Sequence, residues 1–250
     1  MNRLKSALAE GRLQIGLWQS LANPYTAEIC AGAGYDWLLF DGEHSPNTIQ
    51  TLLAQLQAVS GHPVSAVARP PVGDAVLIKQ YLDIGFRSLL IPMVGSADQA
   101  RQLVSATRYP PTGMRGVAGL TRASGFGTKA GYLANAHDDI CLILQIESRA
   151  GLDAIEEIAA VKGVDAFFIG PGDLAGALGH LGDPGHPSVQ AAIAEALKRM
   201  QKAAIPAGIF ASSVEDAKRF AASGVRMISI GTDIGLLVSG AARLRQAMDL

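Results

Sequence analysis

The chain has 250 residues, 49% of them apolar and 17% charged, where an average soluble protein carries roughly 25% charge. Its mean hydropathy of +0.23 excludes disorder, which needs low hydrophobicity and high net charge. The balance of 21 basic and 22 acidic side chains offers no excess to draw the chain to nucleic acid or anionic lipid.

Short, continuous apolar runs alternate with amphipathic stretches along the whole chain. The runs lie at 15–18, 37–40, 64–68, 88–92, 140–146, 166–169, 207–210 and 227–230. They read as strands covered on both faces of a parallel sheet. Between them the pattern predicts helices. The first, 24–33, has Asn23 as its cap and Pro24 at its first position. Helices over 46–59, 74–84, 96–107, 150–160 and 189–203 follow. Another over 213–222 opens on Ser-Val-Glu-Asp. The last, 234–248, places Leu237, Ala241, Leu244 and Met248 on one stripe. The 28 glycines mark the turns that join these units. Eight strand–helix units in a chain of this length predict an α/β (β/α)8 TIM barrel, one domain spanning 1–250. The rival, a doubly wound open sheet, lacks its signals: neither GxGxxG nor GxxxxGK[ST] occurs. The stretch 109–139 has no strong period and is expected as a loop over the barrel mouth.

The two cysteines, Cys30 and Cys141, make no disulfide framework and read as small buried hydrophobes. The opening MNRLKSALAEGRLQ lacks the apolar core of a signal peptide. No apolar stretch approaches the ~18 residues of a membrane span. A cytoplasmic location is the expectation. The low charge content also suggests a surface partly buried against other copies of the chain.

A parallel barrel collects its chemistry at the C-terminal ends of its strands. Reading past each run gives Trp18 and Gln19, then Asp41, Glu43 and His44, then Arg69, then Gln145 and Glu147, and finally Gly170-Pro171-Gly172-Asp173. Glu147 and Asp173, without Cys or a His cluster, suit a hard divalent cation: Mg²⁺ or Mn²⁺, with Co²⁺ a further option. Each alone reads equally as a helix cap. Glu43 is placed to orient a water on such an ion. The Gly-Pro-Gly-Asp turn is either an anion cradle or simply a tight turn. His44 beside Asp41 is a candidate general base, or a histidine satisfied by its neighbours. Arg69 must meet an anion, as an oxyanion stabiliser or as a bridge to Glu43 or Glu147. Arg115 and Arg122, in the long loop, read as surface residues or as groups that reach a substrate acid, and Asp83 reads as part of an exposed helix face. His62, His137, His180 and His186 read as solvated. No lysine follows a strand, which disfavours a Schiff base, and no Gly-x-Ser-x-Gly elbow occurs.

Six ordered motifs resemble one family. They are Asp-Gly-Glu-His-Ser-Pro-Asn (41–47), Ala-Arg-Pro (68–70), Ile-Pro-Met-Val (91–94), Arg-Tyr-Pro-Pro-Thr-Gly-Met-Arg-Gly (108–116), Gln-Ile-Glu-Ser (145–148) and Ile-Gly-Pro-Gly-Asp-Leu (169–174). Together they are similar to the HpcH/HpaI metal-dependent 2-oxo acid aldolases, with 4-hydroxy-2-oxoheptanedioate aldolases as the nearest type. The resemblance implies reversible aldol cleavage of 4-hydroxy-2-oxo acids to pyruvate, or hydroxypyruvate, and an aldehyde. It implies Glu147 and Asp173 as metal ligands. Gln145 and the amides of Gly172 and Asp173 would hold the substrate carboxylate, with Trp18 and Phe210 lining the substrate site. It implies His44, paired with Asp41, as base, Arg69 as enolate stabiliser, and Asp83 as a group contributed by a neighbouring subunit. A homohexamer, a trimer of dimers with the last helix exchanged between subunits, is also implied. Gly172 stands where alanine is common and Phe210 where a smaller aliphatic is frequent, which loosens the turn and narrows the mouth. A CoA-thioester lyase of the citrate lyase β type would need a basic adenine-phosphate site, and no basic cluster is seen. A non-catalytic metabolite-binding barrel is the other alternative.

Overall fold

The computed structural model describes residues 1–248; the last two positions of the expected 1–250 unit lie outside them. Eight parallel strands close into a barrel in sequence order: β1 (Gln14–Gln19), β2 (Trp37–Asp41), β3 (Ser65–Arg69), β4 (Ser88–Ile91), β5 (Cys141–Ile146), β6 (Ala166–Ile169), β7 (Ala207–Phe210) and β8 (Met227–Thr232). Each contains most of one predicted apolar run. The helices are α1 (Arg3–Ala9), α2 (Pro24–Ala31), α3 (Ile49–Ala58), α4 (Ala75–Asp83), α5 (Ala97–Thr107), α6 (Tyr132–Asn135), α7 (Arg149–Asp153), α8 (Ile155–Ala159), α9 (Pro171–Ala177), α10 (Pro187–Lys202), α11 (Val214–Ala222) and α12 (Asp233–Gln246). No helix among the described residues is long and apolar enough to cross a membrane.

Caps decide where the helices begin. Asn23, Asp74, Ser96 and Ser213 each accept backbone N–H bonds from the first turn, satisfying donors the helix itself leaves open. The expected helix over 46–59 starts later, at Ile49, because Thr48 and Thr51 form a reciprocal capping pair. The single helix expected over 150–160 is two, broken at Ala154.

Side chains alternate between the two sides of the barrel wall. Trp18, Trp37, Leu39, Val67, Leu90, Ile143, Phe168 and Met227 point inward, while Leu38, Phe40, Leu89, Leu144 and Ile169 pack outward under the helices. Two glycines make room for the inner aromatics. A Cβ on Gly16 would stand 2.1 Å from the Trp37 indole, and one on Gly208 would stand 2.5 Å from Phe168. Helix α1, which periodicity does not reveal, plugs the N-terminal end with Leu4 and Leu8. Asn2 ties it down through bonds to the carbonyls of Arg87 and Asp139. Both cysteines are buried and free.

The segment 109–139 does not lie over the mouth of its own barrel. It follows a helix, α5, so it belongs to the N-terminal end of the strands. There it wraps the end of α4: Ala123 N donates to the Asp83 carbonyl at 3.1 Å and Arg122 Nη1 to the Ile84 carbonyl at 3.0 Å. Arg115, expected on the surface, has a fully buried side chain that donates to Asp83 Oδ1 at 2.6 Å.

Candidate active site

The C-terminal ends of β1, β2, β3, β5, β6 and β7 meet around a cavity of about 500 Å³ that opens at the mouth. Trp18, Phe168 and Phe210 form its aromatic wall, with the Trp18 ring 5.6 Å from each of the other two. Asp41, His44, Arg69, Gln145, Gly172 and Asp173 also line it, so most residues expected from the sequence converge here.

The register of β2 on β3 sets Asp41 opposite Arg69. The guanidinium donates Nε and Nη2 to the Asp41 carboxylate at 2.9 and 2.8 Å and Nη1 to Glu43 at 2.9 Å. Its Cζ lies 5.1 Å from the Trp18 ring centroid. Burial alone would raise the Asp41 pKa, but the Arg69 bonds and charge hold it below the usual carboxylate range. The turn after β2 is built by its own sequence. The Asp41 carbonyl accepts from Ser45 Oγ at 2.5 Å and Asn47 Nδ2 at 2.7 Å. Position 42 takes only glycine, because a Cβ there would stand 2.2 Å from the Tyr81 hydroxyl and 2.8 Å from the Arg69 carbonyl.

This geometry corrects the expected His44–Asp41 pair. Both Asp41 oxygens belong to Arg69. His44 reaches Asp41 only through its backbone N–H, while its ring, 66% exposed, lies 3.8 Å from Glu43 Oε2. The bridging reading of Arg69 holds for Glu43, not for Glu147. Asp83 is also not brought to this chain's cavity; it ends α4 and is bound to Arg115.

Glu147 is 2% exposed. Its Oε1 accepts from Met93 N at 2.8 Å and its Oε2 from Gln145 Nε2. Burial first, and then the charges of Asp173 and Glu43, push its pKa up to about 7 against the pull of the Met93 bond. Burial likewise raises Glu43. The charges of Glu147, Asp173 and Glu43 thus bear on one another, and of the three only Glu43 is paired with Arg69, which it shares with Asp41. Gln145 Oε1 is buried without a hydrogen-bond partner. Gly170 is obligatory, since a Cβ would stand 2.2 Å from Glu147 Oε2. An acceptor-rich, all-oxygen set of this kind fits a hard divalent cation. No group of three or more His, Cys, Asp or Glu with ligand geometry occurs among the described residues. The set therefore suits an ion that keeps waters and a chelating substrate in its shell.

Gly170 precedes α9, another helix that periodicity does not reveal; Pro171, Gly172 and Asp173 form its first turn. The amides of Gly172 and Asp173 have no carbonyl to bond within the helix, which leaves them free for an anion. A Cβ on Gly172 would meet nothing within 4 Å. Gly172→Ala is therefore expected to raise stability by about 0.4–1 kcal/mol and keep the backbone cradle, as measured by urea unfolding and pyruvate KM. Met93 is the site residue that sequence reasoning missed. It holds a left-handed conformation at φ 56° that aims its N–H at Glu147, and no residue-type signal marks that.

Residues 14–240 match the family model for HpcH/HpaI aldolase/citrate lyase. The chain is 56% identical over 244 residues to a hydroxypyruvate/pyruvate aldolase of Deinococcus radiodurans, covering 97% of this chain and 88% of that one. It is 48% identical to a 4-hydroxy-2-oxo-heptane-1,7-dioate aldolase of Shigella sonnei, covering 97% and 93%. A crystal structure of an HpcH/HpaI family protein from Burkholderia cenocepacia superposes with a TM-score of 0.97 at 39% identity, over the full length of both chains. The chain belongs to the HpcH/HpaI aldolase/citrate lyase family.

Proposed function

We propose that the protein is a divalent-metal-dependent aldolase acting reversibly between pyruvate, or hydroxypyruvate, and an aldehyde. The observation that supports this most directly is that Asp173, Arg69 and His44 line one cavity, with Glu43 bound to Arg69 and the buried Glu147 bound to the lining Gln145. Glu147 and Asp173 would hold Mg²⁺, Mn²⁺ or Co²⁺, and the bound ion supplies the Lewis acidity that lowers the cost of an enolate. The amides of Gly172 and Asp173 hold the 2-oxo acid carboxylate, with the Gln145 amide beside it. Arg69, fixed by Asp41 and Glu43, sets its remaining N–H groups toward the oxygen on which charge develops. His44 takes the C4 hydroxyl proton in cleavage, oriented by Glu43. The C3–C4 pair passes to the pyruvate half as an enolate, the aldehyde departs, and C3 is then protonated.

Deuterium exchange into pyruvate C3 tests this. Exchange with Mn²⁺ that stops on adding EDTA is expected, and its absence would leave a metabolite-binding barrel. His44→Ala is expected to lower aldol turnover by about 10²–10⁴ with unchanged unfolding; wild-type turnover would end the His44 assignment.

The protein would work in the cytoplasm as a homohexamer. Among the α12 residues only Asp233 is buried, while Leu237 and Leu244 are 61% and 73% exposed, and Met248, two residues past the end of the helix at Gln246, is 70% exposed. An apolar stripe of this kind, unburied by its own barrel, is what exchange with a neighbouring subunit would cover. Deleting residues after 232 is expected to reduce the mass seen by light scattering to that of a smaller assembly, and an unchanged mass would reject the exchange.

A further inference from the structure

The cavity that holds Asp173 and Arg69 runs outward to the start of α10 and the body of α11, and there its wall is polar. Arg219 lies on Phe220 with its Cζ 4.6 Å from the ring centroid. Its Nη2 donates to Asp216 Oδ1 at 2.7 Å and to Gln190 Oε1 at 3.0 Å. Asp216 Oδ2 also accepts from Ser212 and Ser213 at 3.0 and 3.1 Å. Gln190 in turn donates to the Pro184 carbonyl at 2.8 Å. Each group has a protein hydrogen-bond partner before any ligand arrives. Arg219 Nε and Nη1 have no hydrogen-bond acceptor among the described residues. None of these groups serves the carboxylate cluster or His44, and Ser213 Oγ already caps α11.

We propose that Asp216, Arg219 and Gln190 form an outer subsite that reads the tail of the aldehyde and favours a hydroxylated tail over a carboxylate one. This rests on the aldolase reading of the inner end, because an aldehyde whose carbonyl meets the enolate there extends its tail outward. A hydroxyl both donates and accepts. It accepts a hydrogen bond from Arg219 Nη1 and donates one to Gln190 Oε1 or Asp216 Oδ1, whose second lone pairs are open. A carboxylate has no proton to give, and its attraction to Arg219 is offset by repulsion from Asp216 at similar range. A plain alkyl tail leaves these groups to water. The groups are only partly buried, with Arg219 56% and Asp216 31% exposed. Selectivity is therefore the modest kind that a solvent-competed hydrogen bond provides.

The test compares kcat/KM for acetaldehyde, glyceraldehyde and succinic semialdehyde, with pyruvate and Mn²⁺, in the wild type, Arg219→Ala and Gln190→Ala. Wild type is expected to prefer glyceraldehyde. The glyceraldehyde-to-acetaldehyde ratio is expected to fall about tenfold in Arg219→Ala, the size of one charge-assisted hydrogen bond, and about threefold in Gln190→Ala, where the amide is neutral and Asp216 can still accept. An unchanged ratio overturns the subsite. A larger loss on succinic semialdehyde than on glyceraldehyde overturns the preference for hydroxyl. Pyruvate C3 exchange is read in parallel. If wild type shows none, the aldolase reading fails, and ligand-observed NMR of glyceraldehyde binding to wild type and variants still decides the subsite. Gln190→Ala keeps the comparison open should loss of the Arg219 stem, which packs on Phe220, impair folding.

Discussion

Glu147→Gln is expected to give a protein without turnover that is nevertheless more stable than wild type when metal-free at pH 8. Glu147 sits almost wholly out of water, and burial, then Asp173 and Glu43, raise its pKa from 4.5 to about 7. The native state therefore holds that proton more tightly than the unfolded chain between those two values. Stability falls as pH rises through that window, and the loss is complete above about pH 7. At roughly 1.4 kcal/mol per pKa unit the cost is on the order of 3 kcal/mol. The amide is neutral and nearly isosteric, so it escapes this cost. Its oxygen keeps the bond from Met93 N, and its N–H₂ replaces the oxygen that accepts from Gln145 Nε2, so the Gln145 amide turns over to offer Oε1, which is unpartnered in the wild type. Urea unfolding of EDTA-treated protein should show the gap at pH 8 and its closure near pH 4.5. Saturating Mn²⁺ should stabilise wild type alone, because only a ligand that prefers the native state adds stability by mass action. A variant that is less stable at pH 8, or that still turns over, would remove Glu147 from the metal site.

Sequence showed the barrel plainly and its site partly, and the difference is physical. Buried parallel strands such as Phe-Phe-Ile at 167–169 are apolar on both faces, so they announce themselves. Helices with a strong cap and a wet face, such as α11, do so too. The Gly- and Ala-rich α9 has neither a stripe nor a side-chain cap. Helix α1 is only two turns long and hides its apolar side inside the barrel. Which polar residues end up together was legible from strand ends, because barrel geometry gathers them whatever their spacing. Which of them bond was not. Asp41 and His44 are near in sequence, yet Arg69, 28 residues away, takes the carboxylate because β2–β3 register places it directly opposite. The same limit applies to Asp83 and Arg115, joined by a loop whose end of the barrel depends on whether it follows a helix or a strand.

Arg69→Ala should be damaging twice, and the two effects are separable. With the guanidinium gone, Asp41 is left 2% exposed with only weak backbone donors, and breaking a buried pair in this way costs about 3–5 kcal/mol. Turnover should fall about 10²–10³ from the lost oxyanion donor. Adding Asp41→Asn removes the stranded charge. The double variant is expected to recover most of the stability and none of the turnover, which a purely structural arginine would not permit. The pH dependence gives an independent check. In the wild type Asp41 is held below its usual range, so its contribution is present at neutral pH and fades as pH falls through its folded value. Without Arg69, burial, the largest influence on the group, is opposed only by the backbone bonds from Glu43 and His44; the group moves upward and the variant loses stability as pH rises above the ordinary carboxylate range. The wild-type slope lies below the ordinary carboxylate value, so between pH 4 and pH 7 it is chiefly the variant's loss that widens the deficit. Unfolding at pH 4 and pH 7 should therefore show a small deficit and a large one; a deficit independent of pH would mean that packing on Trp18, not the charge on Asp41, is what Arg69 supplies to the fold.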